Sequence, residues 1–254
     1  MYILILLIII IIILLLLCLF NMKTNEQFIE LSNKDIELSP KLSSSDVKNI
    51  KAGQEKMLGM MKEFHKICVK YNIRYMLGYG NLLGAILYNG WVPWDGDFDI
   101  MIDENDYEKL KIALINELPK DMWFQDHIND LTYKNVYISK VRDLNSCYDY
   151  PNKTSHNGLQ IDLTKYTFKN NIMTTYDPNN LKTITYDDVY PLKLHKYEDT
   201  EFYIPNNYNK FLNEQYGNNW TKVLPIEKRI PHEGLIEPYN TCAHHNKIYP
   251  NLYN

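Results

Sequence analysis

The stretch from Leu77 to Asp103, LGYGNLLGAILYNGWVPWDGDFDIMID, leaves this chain few ways to fold. Near its end three carboxylates, Asp95, Asp97 and Asp99, occupy alternate positions. Alternate residues of an extended strand share a face. The three therefore converge on one spot, with Phe98, Ile100 and Ile102 buried behind them. Carboxylates held that close repel one another and are costly to bury unpaired. A divalent cation is the usual remedy, so one strand predicts both a buried sheet and a metal site.

Other segments supply the surroundings. Ile73 to Leu77 reads as a short strand broken by Gly78-Tyr79-Gly80, with a helix beginning at Asn81. A strand, a glycine turn and a helix N-terminus together present N–H groups that can hold a phosphate, although such turns are common. Glu104 to Asn116 reads as a helix, and Asp121 to His127 and Asn135 to Arg142 as strands. Lys140 and Arg142 share a face of the latter, open to either a solvated edge or phosphate contact. The apolar strand Gly158 to Leu163 carries one carboxylate, Asp162. A buried Asp needs a partner, and the cation at Asp97 and Asp99 is the obvious one.

The remainder of the chain sets limits. Of its 254 residues, Ile3 to Phe20 are uninterrupted apolar side chains. As a helix they would span about 27 Å, close to a bilayer core. With no basic residue before them and no small-x-small cleavage pattern, a retained anchor is expected over a cleaved signal. Residues 21–45 read as a flexible tether, and Asp46 as the N-cap of a helix running to Tyr71 with one apolar face. A helix is expected again near Asn207 to Tyr216. Net charge is −4, so no basic field argues for nucleic acid. Of the four cysteines, Cys18 lies in the apolar run, which leaves Cys68, Cys147 and Cys242 and argues against a disulfide framework. Two glycosylation patterns, at Asn152 and Asn219, do not settle the compartment. His232, Cys242, His244 and His245 fit no standard zinc spacing, and 226–254 is expected to be a loosely packed tail.

Two blocks, Tyr79-Gly80-Asn81-Leu82-Leu83-Gly84-Ala85 and Pro93-Trp94-Asp95-Gly96-Asp97-Phe98-Asp99, resemble the signature of the LicD family. That family includes bacterial phosphocholine transferases and the animal fukutin-related enzymes. Its pattern is close to YGTLLGAxR followed by IPWDDDxD. This chain has Asn81 where Thr or Ser is usual, Leu87 at or near the usual Arg, and Gly96 in place of an Asp. Lys140-Val141-Arg142-Asp143, Ile161-Asp162-Leu163 and the run from Ile204-Pro205 through Tyr216-Gly217 extend the likeness.

The resemblance implies an α/β (α+β) nucleotidyltransferase-like fold over residues 46–225, a small mixed sheet flanked by helices. It implies a metal-dependent transferase moving a phospho-alcohol group, of phosphocholine or phosphoribitol type, from a CDP-linked donor to a glycan hydroxyl. Gly80 and Asn81 would cradle a donor phosphate. Asp97, Asp99 and Asp162 would bind Mg²⁺ or Mn²⁺, Asp162 as a ligand or as the base, and Lys140 and Arg142 would neutralise the diphosphate. Asp95 would sit at the rim, unassigned. With 1–20 as signal-anchor, the expected product is a single-pass membrane protein of secretory-pathway type. Its orientation stays open, because Lys23 and Lys34 after the segment favour a cytosolic C-terminal part.

Three other readings compete. A glycosyltransferase using Asp-Gly-Asp for its metal leaves the Gly80 turn and Asp162 unexplained. A Ca²⁺ loop matches Asp95, Asp97 and Asp99, but has Ile100 where Gly is needed and Asp106 where Glu is needed. A pseudoenzyme is disfavoured by the presence of all three main carboxylates.

Overall fold

The computed structural model describes residues 31–149, 155–176 and 181–253. By its contacts the chain divides into Met1–Ser32 and Asn33–Asn254. The expected anchor, and Asn152 of one glycosylation pattern, lie outside the described residues. Among the described residues no helix is long and apolar enough to cross a membrane.

Helix α1 (Ser44–Lys70) opens the second unit. Its N-cap is Ser43 rather than Asp46. Asp46 sits at the third helical position and closes a capping box with Ser43, satisfying two amides that a helix start leaves open. Its Ile50, Met57, Met61 and Phe64 are fully buried, the apolar face that the spacing predicts. The expected tether is fixed from Asn33 onward, because Arg229 donates to the carbonyls of Lys34 and Glu37 and its own carbonyl accepts from Ser39 N.

The strands follow in chain order: β1 (Tyr75–Leu77), β2 (Phe98–Asp103), β3 (Met122–Gln125), β4 (Ile138–Asp143) and β5 (Cys147–Asp149). After them come β6 (Gln160–Lys169), β7 (Ile172–Thr174), β8 (Lys193–Tyr197), β9 (Thr200–Ile204) and β10 (Leu235–Glu237). The main sheet runs β1-β2-β6-β4-β3, with β7 added beside β6. It is mixed: β2 and β6 are parallel, and the other pairs are antiparallel. Helices α2 (Tyr79–Tyr88) and α3 (Glu104–Glu117) bracket β2 in sequence. Phe98, Ile100, Ile102, Ile161 and Leu163 join the α1 face and Leu110 and Leu114 of α3 in one buried cluster. That burial is the main stabilising term, at about 1.5–3 kcal/mol per large apolar side chain.

The α/β fold with a small mixed sheet flanked by helices is therefore as expected. A hairpin of β8 and β9 follows the short α4 (Tyr186–Val189), and α5 (Tyr208–Tyr216) is capped by Asn207. The C-terminal region differs from expectation. It ends in two single turns, α6 (His245–Ile248) and α7 (Pro250–Tyr253), yet β10 pairs with β5 and Cys242 is disulfide-bonded to Cys147. The sequence argument against a disulfide fails because Cys68 is the odd residue, alone and buried in the α1 face. His245 is fully buried, stacked on His156 with ring centroids 3.9 Å apart, and accepts from the Asn157 amide. The tail is thus part of the fold.

Candidate active site

Register assembles the site. Across the parallel pair Asp99 lies opposite Asp162, and across the antiparallel pair Lys140 lies opposite Asp162. The three side chains form one row over the adjacent strands β2, β6 and β4. Asp97 precedes β2 and joins them: Asp97, Asp99 and Asp162 each offer an oxygen within 4.8 Å of the others. Lys140 Nζ donates to both oxygens of Asp162, at 2.5 and 2.7 Å. One oxygen of Asp97 accepts from Gln160 Nε2 at 3.4 Å, while Oδ1 is buried without a hydrogen-bond partner among the described residues. An orphaned carboxylate oxygen among hard oxygen donors fits Mg²⁺ or Mn²⁺. Asp95 and Asp97 lead into β2 and Asp99 lies within it, so the run is a sheet strand and its approach, not a Ca²⁺ loop.

A cavity of about 560 Å³ opens over this row, and Gly80, Asp97, Asp99, Asp162, Trp94 and Tyr216 are among the residues lining it. Gly80 is in the first turn of α2, and it has a steric reason to be glycine. A Cβ there would lie 2.2 Å from Asp95 Oδ2, closer than any real contact.

Two expected phosphate contacts lie elsewhere. Asn81 is fully buried, its Oδ1 accepting from the Asp99 amide at 2.5 Å and its Nδ2 donating to the Tyr197 hydroxyl at 3.0 Å. It braces β2 against α2 and the hairpin instead of facing the cavity. Arg142 is buried too. Its Nε donates to Gln125 Oε1 at 2.8 Å and its Nη1 to Gly158 O and Gln160 Oε1. It is linked to Asp97 through Gln160. Leu87, at the family's usual Arg, is buried as well.

Residues 72–207 match the family profile described as LicD/FKTN/FKRP, nucleotidyltransferase domain. The chain belongs to this family. It is 30% identical over 95 residues to the lipopolysaccharide cholinephosphotransferase LicD of Haemophilus influenzae, covering 36% of this chain and 32% of that protein. It is 30% identical over 190 residues to an uncharacterised protein of Rickettsia prowazekii, covering 73% of this chain and 64% of that one. A second uncharacterised protein, from Rickettsia typhi, is 27% identical over 191 residues, 73% and 54% of the two chains. The chain thus spans between about a third and two thirds of the length of these curated relatives.

The LicD-family match encloses Gly80, Asp97, Asp99, Lys140 and Asp162, and stops short of two residues that the fold brings beside them. His232 lines the cavity, and the buried Glu233 lies beside Asp95, which is itself buried rather than at the rim. The sequence draws attention to His232 only alongside Cys242, His244 and His245, and to Glu233 not at all, because their neighbour Asp95 is more than 130 positions away. Electrostatically the carboxylates strain one another. Burial first, then Asp99 and Glu233, push the Asp97 carboxyl well above its usual range. Burial and Asp162 do the same to Asp99, with Lys140 opposing. Asp95 is pushed up to about 7 by burial and Glu233. Burial lowers the Lys140 ammonium against the pull of Asp162.

Proposed function

We propose that this LicD-family chain is a metal-dependent transferase that moves a phospho-alcohol group from a CDP-linked donor to a glycan hydroxyl. The observation that carries the reading is the in-register row Asp99–Asp162–Lys140, joined by the half-orphaned Asp97 and facing a cavity large enough for a nucleotide diphosphate. Asp97, Asp99 and Asp162 would hold Mg²⁺ or Mn²⁺, which when bound would neutralise oxygen charge on the diphosphate. Phosphoryl chemistry of this kind depends on positioning and charge more than on covalent help. Lys140 locks Asp162 in place and adds one positive charge beside the carboxylates. Gly80 lets the first turn of α2 come close to the donor phosphates, and Asn81 and Arg142 fix the strands from behind. The likeness to the Haemophilus cholinephosphotransferase favours choline as the donor alcohol.

The test is Mn²⁺-dependent release of CMP from CDP-choline and CDP-ribitol by the purified full chain, with Asp99→Ala as control. We expect release with one donor, falling at least 100-fold in the variant. Release of UDP or GDP from sugar nucleotides instead would replace this reading with a glycosyltransferase.

A further inference from the structure

We propose that Asp95, His232 and Glu233 form a second divalent-cation site, separate from Asp97, Asp99 and Asp162. It does not rest on the transferase reading, which gives none of these three residues a role.

The three residues come from distant parts of the chain, yet each offers a ligand atom within 4.8 Å of the others. Glu233 is 3% exposed, and its Oε2 has no partner among the described residues. Its Oε1 is in ion-pair contact with His232 Nε2, without hydrogen-bond geometry. A carboxylate withdrawn from water and left half unpaired is costly, and buried charges are normally paired or bound to metal. Two glycines keep the room around it. A Cβ on Gly96 would lie 2.3 Å from Glu233 Oε2, and one on Gly80 would lie 2.2 Å from Asp95 Oδ2. Both carboxylates are therefore held where backbone without side chains lets them approach.

Charge makes the same case. Asp95, Asp97, Asp99, Asp162 and Glu233 stand together, and among the described residues the cationic groups in direct ion-pair contact with them are Lys140 and the His232 ring. One divalent cation at Asp97 and Asp99 leaves the group negative, and without that cation the excess is larger. The second triad has the right donors for another. Two carboxylates and one imidazole suit Mn²⁺ or Zn²⁺ better than Mg²⁺, which prefers oxygen alone. Asp95 and His232 line the cavity, so the open coordination positions of such a site face the same space as the first. The segment bearing His232 and Glu233 is fixed on both sides. Arg229 lies over the Trp94 ring at 5.2 Å, and β10 pairs with β5.

Mn²⁺ binding to the chelator-stripped full chain tests this, followed by the free-Mn²⁺ electron spin resonance signal and by ¹⁴N modulation of the bound ion. We expect two Mn²⁺ per chain and an imidazole ¹⁴N signature. Glu233→Gln and His232→Ala should each bind one Mn²⁺ and lack the signature, while Asp97→Asn should bind one and keep it. His232 is 78% exposed at its side chain, so its replacement is compatible with folding even if that of Glu233 is not. A single Mn²⁺ in the wild type with no ¹⁴N signal, or two in His232→Ala, would overturn the proposal. Loss of CMP release with both Mn²⁺ still bound would count against the transferase reading alone.

Discussion

Asn81 joins three elements through one amide, and its truncation leaves the Asp99 N–H and the Tyr197 hydroxyl without their partners inside the protein. We expect Asn81→Ala to cost about 1–3 kcal/mol in chemical denaturation. Asp97→Asn should move stability the other way. Removing one of several mutually repelling buried carboxylates should stabilise the metal-free protein by about 1–2 kcal/mol, while abolishing Mn²⁺-dependent activity. Melting with and without Mn²⁺ checks this: the ion should stabilise the wild type by more than the variant. At this scale the sequence was informative where residues alternate. Asp99 and Asp162 each stand out in the sequence as a carboxylate within an apolar strand, but it is the parallel register that sets them opposite each other, and Asp97 joins them from the turn before β2. Lys140 and Arg142 share a face by the same rule, but only register distinguishes them. Lys140 meets Asp162, whereas Arg142 meets Gln160 and its donors are spent on buried oxygens behind the sheet. Asn81 was misread for a related reason, since a sequence displays donors without showing who already occupies them.

At the scale of elements, helices α1, α3 and α5 and the central strands lie where periodicity puts them, with ends shifted by a few residues. The C-terminal region was not legible. Its order depends on the Cys147–Cys242 bond across 95 residues and on the β5–β10 pairing, neither of which leaves a local pattern. Cys147→Ser should lower stability by about 2–4 kcal/mol, as expected when a long loop loses its closure. A wild-type denaturation midpoint in reductant matching that of Cys147→Ser in oxidising buffer would show that the bond itself, not the packing of the thiol, is responsible.

For the molecule as a whole, acid acts in two opposite directions. His245, lowered to about 3 by burial and by His244, stays neutral when folded, while the unfolded chain takes up a proton near the ordinary value of 6.5. Its contribution is complete above 6.5 and is lost as pH falls toward 3. Asp97 and Asp99, raised in the folded state, bind protons that the unfolded chain does not, so their destabilising repulsion fades over part of that range. His245→Gln should therefore weaken the acid sensitivity of the wild type by about 1.5–2 kcal/mol between pH 6.5 and 5, measured by denaturation at each pH. The parallel pairing of Asp99 with Asp162 has a consequence for redesign. Their separation is set by the spacing of neighbouring strands, about 4.8 Å, which backbone hydrogen bonds fix whatever the side chains. Substitution cannot tune it gradually, because a one-residue slip would turn every side chain of the strand to the opposite face. Variants selected for new substrates should therefore change the walls at Trp94, Tyr216 and Leu224 and inherit this ruler intact.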